Sequence, residues 1–167
     1  MIEYKKVGIE SVTIIQKIAY ETWPSTFGQV LPPEQINYML DLIYNESSLR
    51  RQILENGHNF ILAEKDSLAL GFTSYEISFK GRPQLMIHKI YILPAAQGLG
   101  IGSKFLHLLS DIALKSDNKR LQLKVYFENT KAIGFYEKHG FKNIGTEKTD
   151  IGNDYIIQDN VMVKELQ

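Results

Sequence analysis

The chain has 167 residues, 44% hydrophobic and 23% charged, a mix that supports a globular core and excludes a disordered or fibrous protein. Lysine plus arginine balances aspartate plus glutamate at 19 each, which argues against nucleic-acid or membrane binding through bulk charge. Cysteine is absent, which removes a thiol nucleophile, a disulfide framework and a cysteine-ligated metal, and fits a reducing cytosol.

The N-terminal stretch "MIEYKKVGIE" lacks the apolar run of a signal peptide, and no segment reaches the roughly 18 apolar residues of a membrane span. A cytoplasmic protein without membrane, nucleic-acid or metal partners is expected. "IEYKKV" alternates as a short strand, and "ESVTIIQKIAYETW" then repeats Val12, Ile15, Ile18, Ala19 and Thr22 at helical spacing behind a Ser11 cap. "PPEQINYMLDLIY" opens on prolines suited to a helix start, and "SSLRRQILENG" predicts a further helix stopping at Gly57.

The period then changes. "NFILAEK", "LALGFTSYEISF" and "QLMIHKIYIL" are rich in β-branched and aromatic residues and are separated by "DS" and "KGRP" turns, which predicts three consecutive antiparallel strands. From Gly102 the apolar residues Phe105, Leu108, Leu109 and Ile112 recur at helical spacing; "RLQLKVYF" alternates; "NTKAIGFYEKHG" predicts a helix from Asn129 to a Gly140 stop. Two strands, near residues 141 to 148 and 154 to 165, end the chain. With no repeat or linker, the pattern gives one α/β domain over residues 1–167, built on a largely antiparallel sheet.

"LPAAQGLGIGSKF" places Gly98, Gly100 and Gly102 at the junction of a strand and a helix. Such a turn presents backbone N–H groups at the positive end of a helix dipole, which suits a phosphate or pyrophosphate. One glycine would satisfy a tight turn; three in alternation favour anion binding. The dinucleotide fingerprint needs a glycine where Ser103 stands, and the Walker pattern fails on spacing and on the order Ser103-Lys104.

Gln97-Gly98-Leu99-Gly100-Ile101-Gly102 resembles the Q/R-x-x-G-x-G/A loop of the GNAT superfamily of acyl-CoA N-acyltransferases. The second part of the resemblance lies in "ENTKAIGFYEKHGFKNIG", where Asn129, Ala132, Phe135, Tyr136, Gly140 and Phe141 follow the family's N-x-x-A-x-x-F/L-Y-x-x-x-G-F pattern. The resemblance implies the GNAT fold: a mixed, mostly antiparallel sheet of about six to seven strands, splayed between the fourth and fifth and flanked by helices. It implies acetyl-CoA as cofactor, with the pyrophosphate on the amides of Gln97 to Ser103, residues Gln97, Gly98, Leu99, Gly100, Ile101, Gly102 and Ser103. It further implies a pantetheine arm along Ile90, Tyr91 and Ile92, with Asn129 against that arm and Tyr136 at the sulfur. A helix cap for Asn129 and a core position for Tyr136 are equally compatible with the pattern.

Acetyl transfer to an amine poses two proton problems, because an alkylammonium resembles lysine at about 10.4 and the leaving thiolate resembles cysteine at about 8.5. By the resemblance, Tyr136 is the acid that protonates the sulfur. Many relatives carry a basic glutamate on the fourth strand where this chain has Met86. Strand alternation puts His88 on the same face, in the useful titration range, as candidate base, with Glu21, Glu76 and Tyr126 as alternatives.

The stretch "YETWPSTFGQVLPPEQINYML" resembles the acceptor-lining helices of bacterial spermidine/spermine acetyltransferases. Trp23, Phe27 and Tyr38 are then candidate walls for a methylene chain, with Glu21 or Asp41 attracting its cation, and core packing as the alternative for the rings. The expected reaction is acetyl transfer to a small primary amine, a polyamine such as spermidine or spermine. The rival acceptors are a peptide N-terminus or an amino acid, and the rival class is a non-catalytic acetyl-CoA sensor. A homodimer through the C-terminal strands is compatible with the family.

Overall fold

A computed structural model describes all 167 residues, Met1–Gln167. Seven strands and five α-helices form a mixed α/β fold: β1 (Glu3–Val7), α1 (Val12–Phe27), α2 (Pro33–Tyr44), α3 (Glu46–Leu54), β2 (Asn59–Lys65), β3 (Leu68–Glu76), β4 (Gln84–Ile92), α4 (Ile101–Lys115), β5 (Arg120–Tyr126), α5 (Thr130–Lys138), β6 (Lys142–Gly152) and β7 (Tyr155–Glu165). The strand order is β1-β2-β3-β4-β5-β7-β6, with β4 and β5 parallel within a mostly antiparallel sheet. No helix is long and apolar enough to cross a membrane.

Two compact units divide the chain, the first made of residues 1–76 and 88–107, the second of residues 77–87 and 108–167. In the first, β1 pairs with β2 from Glu3↔Glu64 to Val7↔Phe60, and β2 pairs with β3 from Asn59↔Tyr75 to Lys65↔Leu68. The turn between β2 and β3 is made by Asp66 and Ser67, both at positive φ, where short polar side chains are tolerated. The buried apolar residues Ile15, Leu40, Tyr44, Leu49, Phe60, Leu62 and Phe72 form this unit's core.

Helix α1 continues past Trp23 through Pro24 to Phe27, further than its apolar period predicts. Proline removes one backbone donor from a helix. Here the Gly28 N–H still reaches the Pro24 carbonyl at 2.9 Å, and buried Phe27 packs on Trp23 with ring centroids 4.7 Å apart, which offsets the missing bond. Ser11 stands at the cap position of α1 without a side-chain cap bond; helix α5 does have one, the Ala132 N–H donating to Asn129 Oδ1 at 3.2 Å.

The second unit holds the first half of β4, which pairs with β5 from Gln84↔Arg120 to Ile87↔Leu123, and the antiparallel run of β5, β7 and β6. Leu85, Leu109, Leu121, Leu123 and Met162 form its core, and Asn118, almost wholly buried, accepts the Ser78 N–H at 2.9 Å and donates to the Ser116 carbonyl at 2.7 Å. Strand β6 runs past the predicted 141 to 148 to Gly152, while β7 falls within the predicted 154 to 165, and the two form one long hairpin turning at Asn153 and Asp154.

Candidate active site

Strand β4 ends at Ile92 and is followed by a short 3₁₀ turn, Pro94–Ala96, after which the glycine loop opens α4 at Ile101. Gly98 and Gly100 have φ of +82° and +78°, the left-handed region that side chains rarely adopt, and a Cβ at either would meet no atom within 4 Å. These glycines are therefore required by backbone conformation and not by crowding, and Gln97, Gly98, Leu99, Gly100 and Ser103 are exposed while Ile101 and Gly102 are buried. An exposed turn ahead of a fifteen-residue helix has the backbone setting that suits an anion, with N–H groups at the positive end of a helix dipole.

Ile90, Tyr91 and Ile92 are half-buried at the end of β4. Tyr91 lies in ring contact with Trp23 at 5.8 Å and Phe72 at 6.0 Å. Gly71 of β3 explains how closely the backbones run here: a Cβ on it would come within 2.7 Å of the Tyr91 carbonyl oxygen and 3.1 Å of the Ile92 Cα. This glycine has no local sequence signal, because only the pairing of distant strands creates the crowding.

His88 is half-buried on β4, and its Nε2 lies 3.0 Å from Glu76 Oε2 at the end of β3. The His58 ring stacks on it, centroids 3.9 Å apart and planes 8° from parallel. The candidate base and one of its named alternatives, Glu76, are therefore bonded to each other. Burial, reinforced by the charges of His88 and Lys89 and opposed by Glu76, pushes the His58 pKa down to about 3, so this ring is neutral at physiological pH. Sequence patterning passes over His58 because its partner is 30 positions away.

Lys89 was likewise without a sequence signal beyond its polarity in an apolar strand. It is buried, its Nζ donates to Gln52 Oε1 at 2.7 Å, and its ammonium faces the Phe60 and Tyr44 rings at 5.7 and 6.0 Å. Desolvation pulls its pKa down to about 7. Thr73 Oγ1 donates to the Lys89 carbonyl at 2.8 Å, which ties β3 to this point of β4.

Trp23 and Phe27 are buried at 3% and 7% exposure, Tyr38 is half-buried, and Glu21 and Asp41 are exposed, so of the acceptor candidates Tyr38 and the two carboxylates present substantial surface. In the second unit, Asn129 caps α5 and Tyr136 lies on that helix, its ring 5.6 Å from Phe141 and 5.4 Å from Phe135. Burial pushes the Tyr136 hydroxyl well above its ordinary range, keeping it protonated at all physiological pH. Tyr126, at the end of β5, donates to Glu128 Oε2 at 3.0 Å and is pushed up to about 12 by burial and that carboxylate, which disqualifies it as a base near neutrality.

Residues 14–141 match the model of the acetyltransferase (GNAT) family. A spermidine N(1)-acetyltransferase of Thermoplasma acidophilum is 28% identical over 161 residues, 94% of this chain and 96% of that protein. The crystal structure of the PaiA N-acetyltransferase of Thermoplasma acidophilum, solved with coenzyme A, superposes with a TM-score of 0.83 at 25% identity and covers 99% of each chain. An N-alpha-acetyltransferase 50 of Danio rerio is 27% identical over 117 residues, 69% of this chain and 70% of that one.

Proposed function

The chain belongs to the acetyltransferase (GNAT) family, an acyltransferase family that uses acetyl-CoA, and on that premise we propose that it acetylates a primary amine, with a small polyamine as acceptor. The observation that carries the acceptor class is the full-length similarity to a spermidine acetyltransferase, together with exposed Glu21 on α1, a carboxylate available to a cation. The chain's own residues fit the cofactor: the open, left-handed glycines ahead of α4 leave backbone amides approachable by a pyrophosphate, a role assigned here to Gln97 through Ser103. Ile90, Tyr91, Ile92 and Asn129 are assigned to the pantetheine arm.

Bound acetyl-CoA supplies an acetyl thioester, whose C–S bond breaks as the amine nitrogen forms its bond to the acetyl carbon. His88 takes one proton from the acceptor ammonium, which frees the nitrogen lone pair, and later returns that proton to solvent. Tyr136 holds the proton that the departing sulfur needs, and burial keeps that proton in place across the working pH range. Tyr136 is restored by the second proton shed from the acylated nitrogen, so protons balance without a metal. Glu21 and Tyr38 are assigned to the acceptor, with the buried rings of Trp23 and Phe27 supporting them from behind. Pairing of two copies through the C-terminal hairpin is part of the same reading, because β6 is an edge strand exposed along nearly its whole length.

Steady-state acetylation of spermidine, spermine, a free amino acid and an N-terminal peptide tests the reading. Spermidine is expected to have the highest kcat/KM. A higher value for the peptide transfers the assignment to N-terminal acetylation, and acetyl-CoA binding without turnover of any amine makes the protein a sensor.

A further inference from the structure

The turn before β2, the end of β3 and the middle of β4 bring His58, Glu76 and His88 together, their ligating atoms within 4.8 Å of one another. Parallel rings aim their in-plane lone pairs along parallel planes, so the two stacked imidazoles do not converge on a common ion. The contact that does have directed geometry is His88 Nε2 to Glu76 Oε2 at 3.0 Å. A carboxylate only accepts, so this bond requires the proton on Nε2 and leaves the lone pair of the neutral ring on Nδ1.

We propose that Glu76 is the positioning residue of His88: its carboxylate takes the Nε2–H and fixes the ring as the tautomer with a bare Nδ1, held flat by the His58 ring. The proposal rests on the acetyl-transfer reading only for the task of that Nδ1, which is to accept the proton of the acceptor amine. Titratable groups near His88 include Glu76 from β3, His58 from the turn before β2 and Lys89 from β4 itself. His58 does not compete for the proton, since its buried Nδ1 has no hydrogen-bond partner and protonating it would place a second cation beside Lys89 and His88. Of these three groups Glu76 is the negative one, and it favours the protonated state of His88.

Imidazole ¹⁵N NMR, without substrate, reads this directly in the wild type and in Glu76→Gln. In the wild type, neutral His88 is expected to carry its proton on Nε2. In Glu76→Gln the side-chain amide offers either a donor or an acceptor, so both tautomers appear and the His88 midpoint falls by about one unit. Wild-type His88 protonated on Nδ1, or a midpoint that Glu76→Gln leaves in place, overturns the proposal; should the variant not fold, the wild-type tautomer decides alone. The ascending limb of kcat/KM is expected to move to lower pH by the same amount in Glu76→Gln and to persist in Lys89→Met, which separates it from the Lys89 titration. A fully active His88→Gln enzyme would remove His88 as base while the NMR result still decided the role of Glu76.

Discussion

At the scale of one residue, Tyr136 is the proposed acid, half-buried on α5. Its ring packs against Phe135 and Phe141, and desolvation of its hydroxyl raises the pKa above the ordinary tyrosine range and holds it protonated. Tyr136→Phe preserves the packing and removes the proton, so kcat is expected to fall by roughly 10²-fold with acetyl-CoA affinity little changed, the scale of general acid catalysis. Calorimetry and steady-state kinetics on one preparation check this, and an undiminished kcat returns Tyr136 to a purely structural role. Its place in the sequence pattern was legible because the spacing from Asn129 to Gly140 is local to one helix. The partnership of His88 with Glu76 and His58 was not, since it joins three elements.

At the scale of elements, the strand β4 and its neighbour β3 carry the clearest constraint. Gly71 admits the Tyr91 carbonyl and the Ile92 Cα into space that a methyl group would occupy. Both obstructing groups include backbone, so Gly71→Ala cannot be absorbed by a side-chain rotation. It is expected to cost about 1–3 kcal/mol by overpacking and to displace the end of β4 from β3. Urea unfolding measures the first effect, and loss of amide protection at Leu93, whose N–H bonds the Leu70 carbonyl at 2.8 Å, measures the second. Wild-type stability in this variant would show that β3 and β4 approach less closely in solution. Strand and helix types were readable from period and turn residues, whereas the end of α1 was not, because the Trp23–Phe27 contact outweighs the local cost of Pro24.

For the whole molecule, half-buried His58 and buried Lys89 give stability a defined pH dependence. His58 is pushed down to about 3 in the folded state, so its neutral form contributes stability that is complete above the unfolded value near 6.5 and is lost as pH falls toward 3. Lys89 is pulled down to about 7, so between pH 7 and 10 the unfolded chain binds more protons and stability rises with pH. Urea midpoints are expected to increase from pH 4 to 6.5 and again from pH 7 to 9.5. The first rise should shrink in His58→Phe and the second in Lys89→Met; unchanged profiles in both variants would mean that neither base is buried as described. The Tyr136 hydroxyl does not disturb this window, because its effect, a loss of stability, begins only above pH 10.

By itself the sequence determined the family, the order of strands and helices, and the glycine loop ahead of α4, because each is encoded in residues that neighbour one another: a period, a turn, a spacing of glycines. Only the tertiary structure decided that Trp23 and Phe27 are buried while Glu21 and Tyr38 reach the surface, that Gly71 is held by the backbone of β4, and that Lys89 is buried against Gln52. It alone brought His58, Glu76 and His88 into one cluster. Burial and proton affinity depend on which distant segments the sheet lays side by side, and strand pairing across tens of residues leaves no periodic trace in the chain.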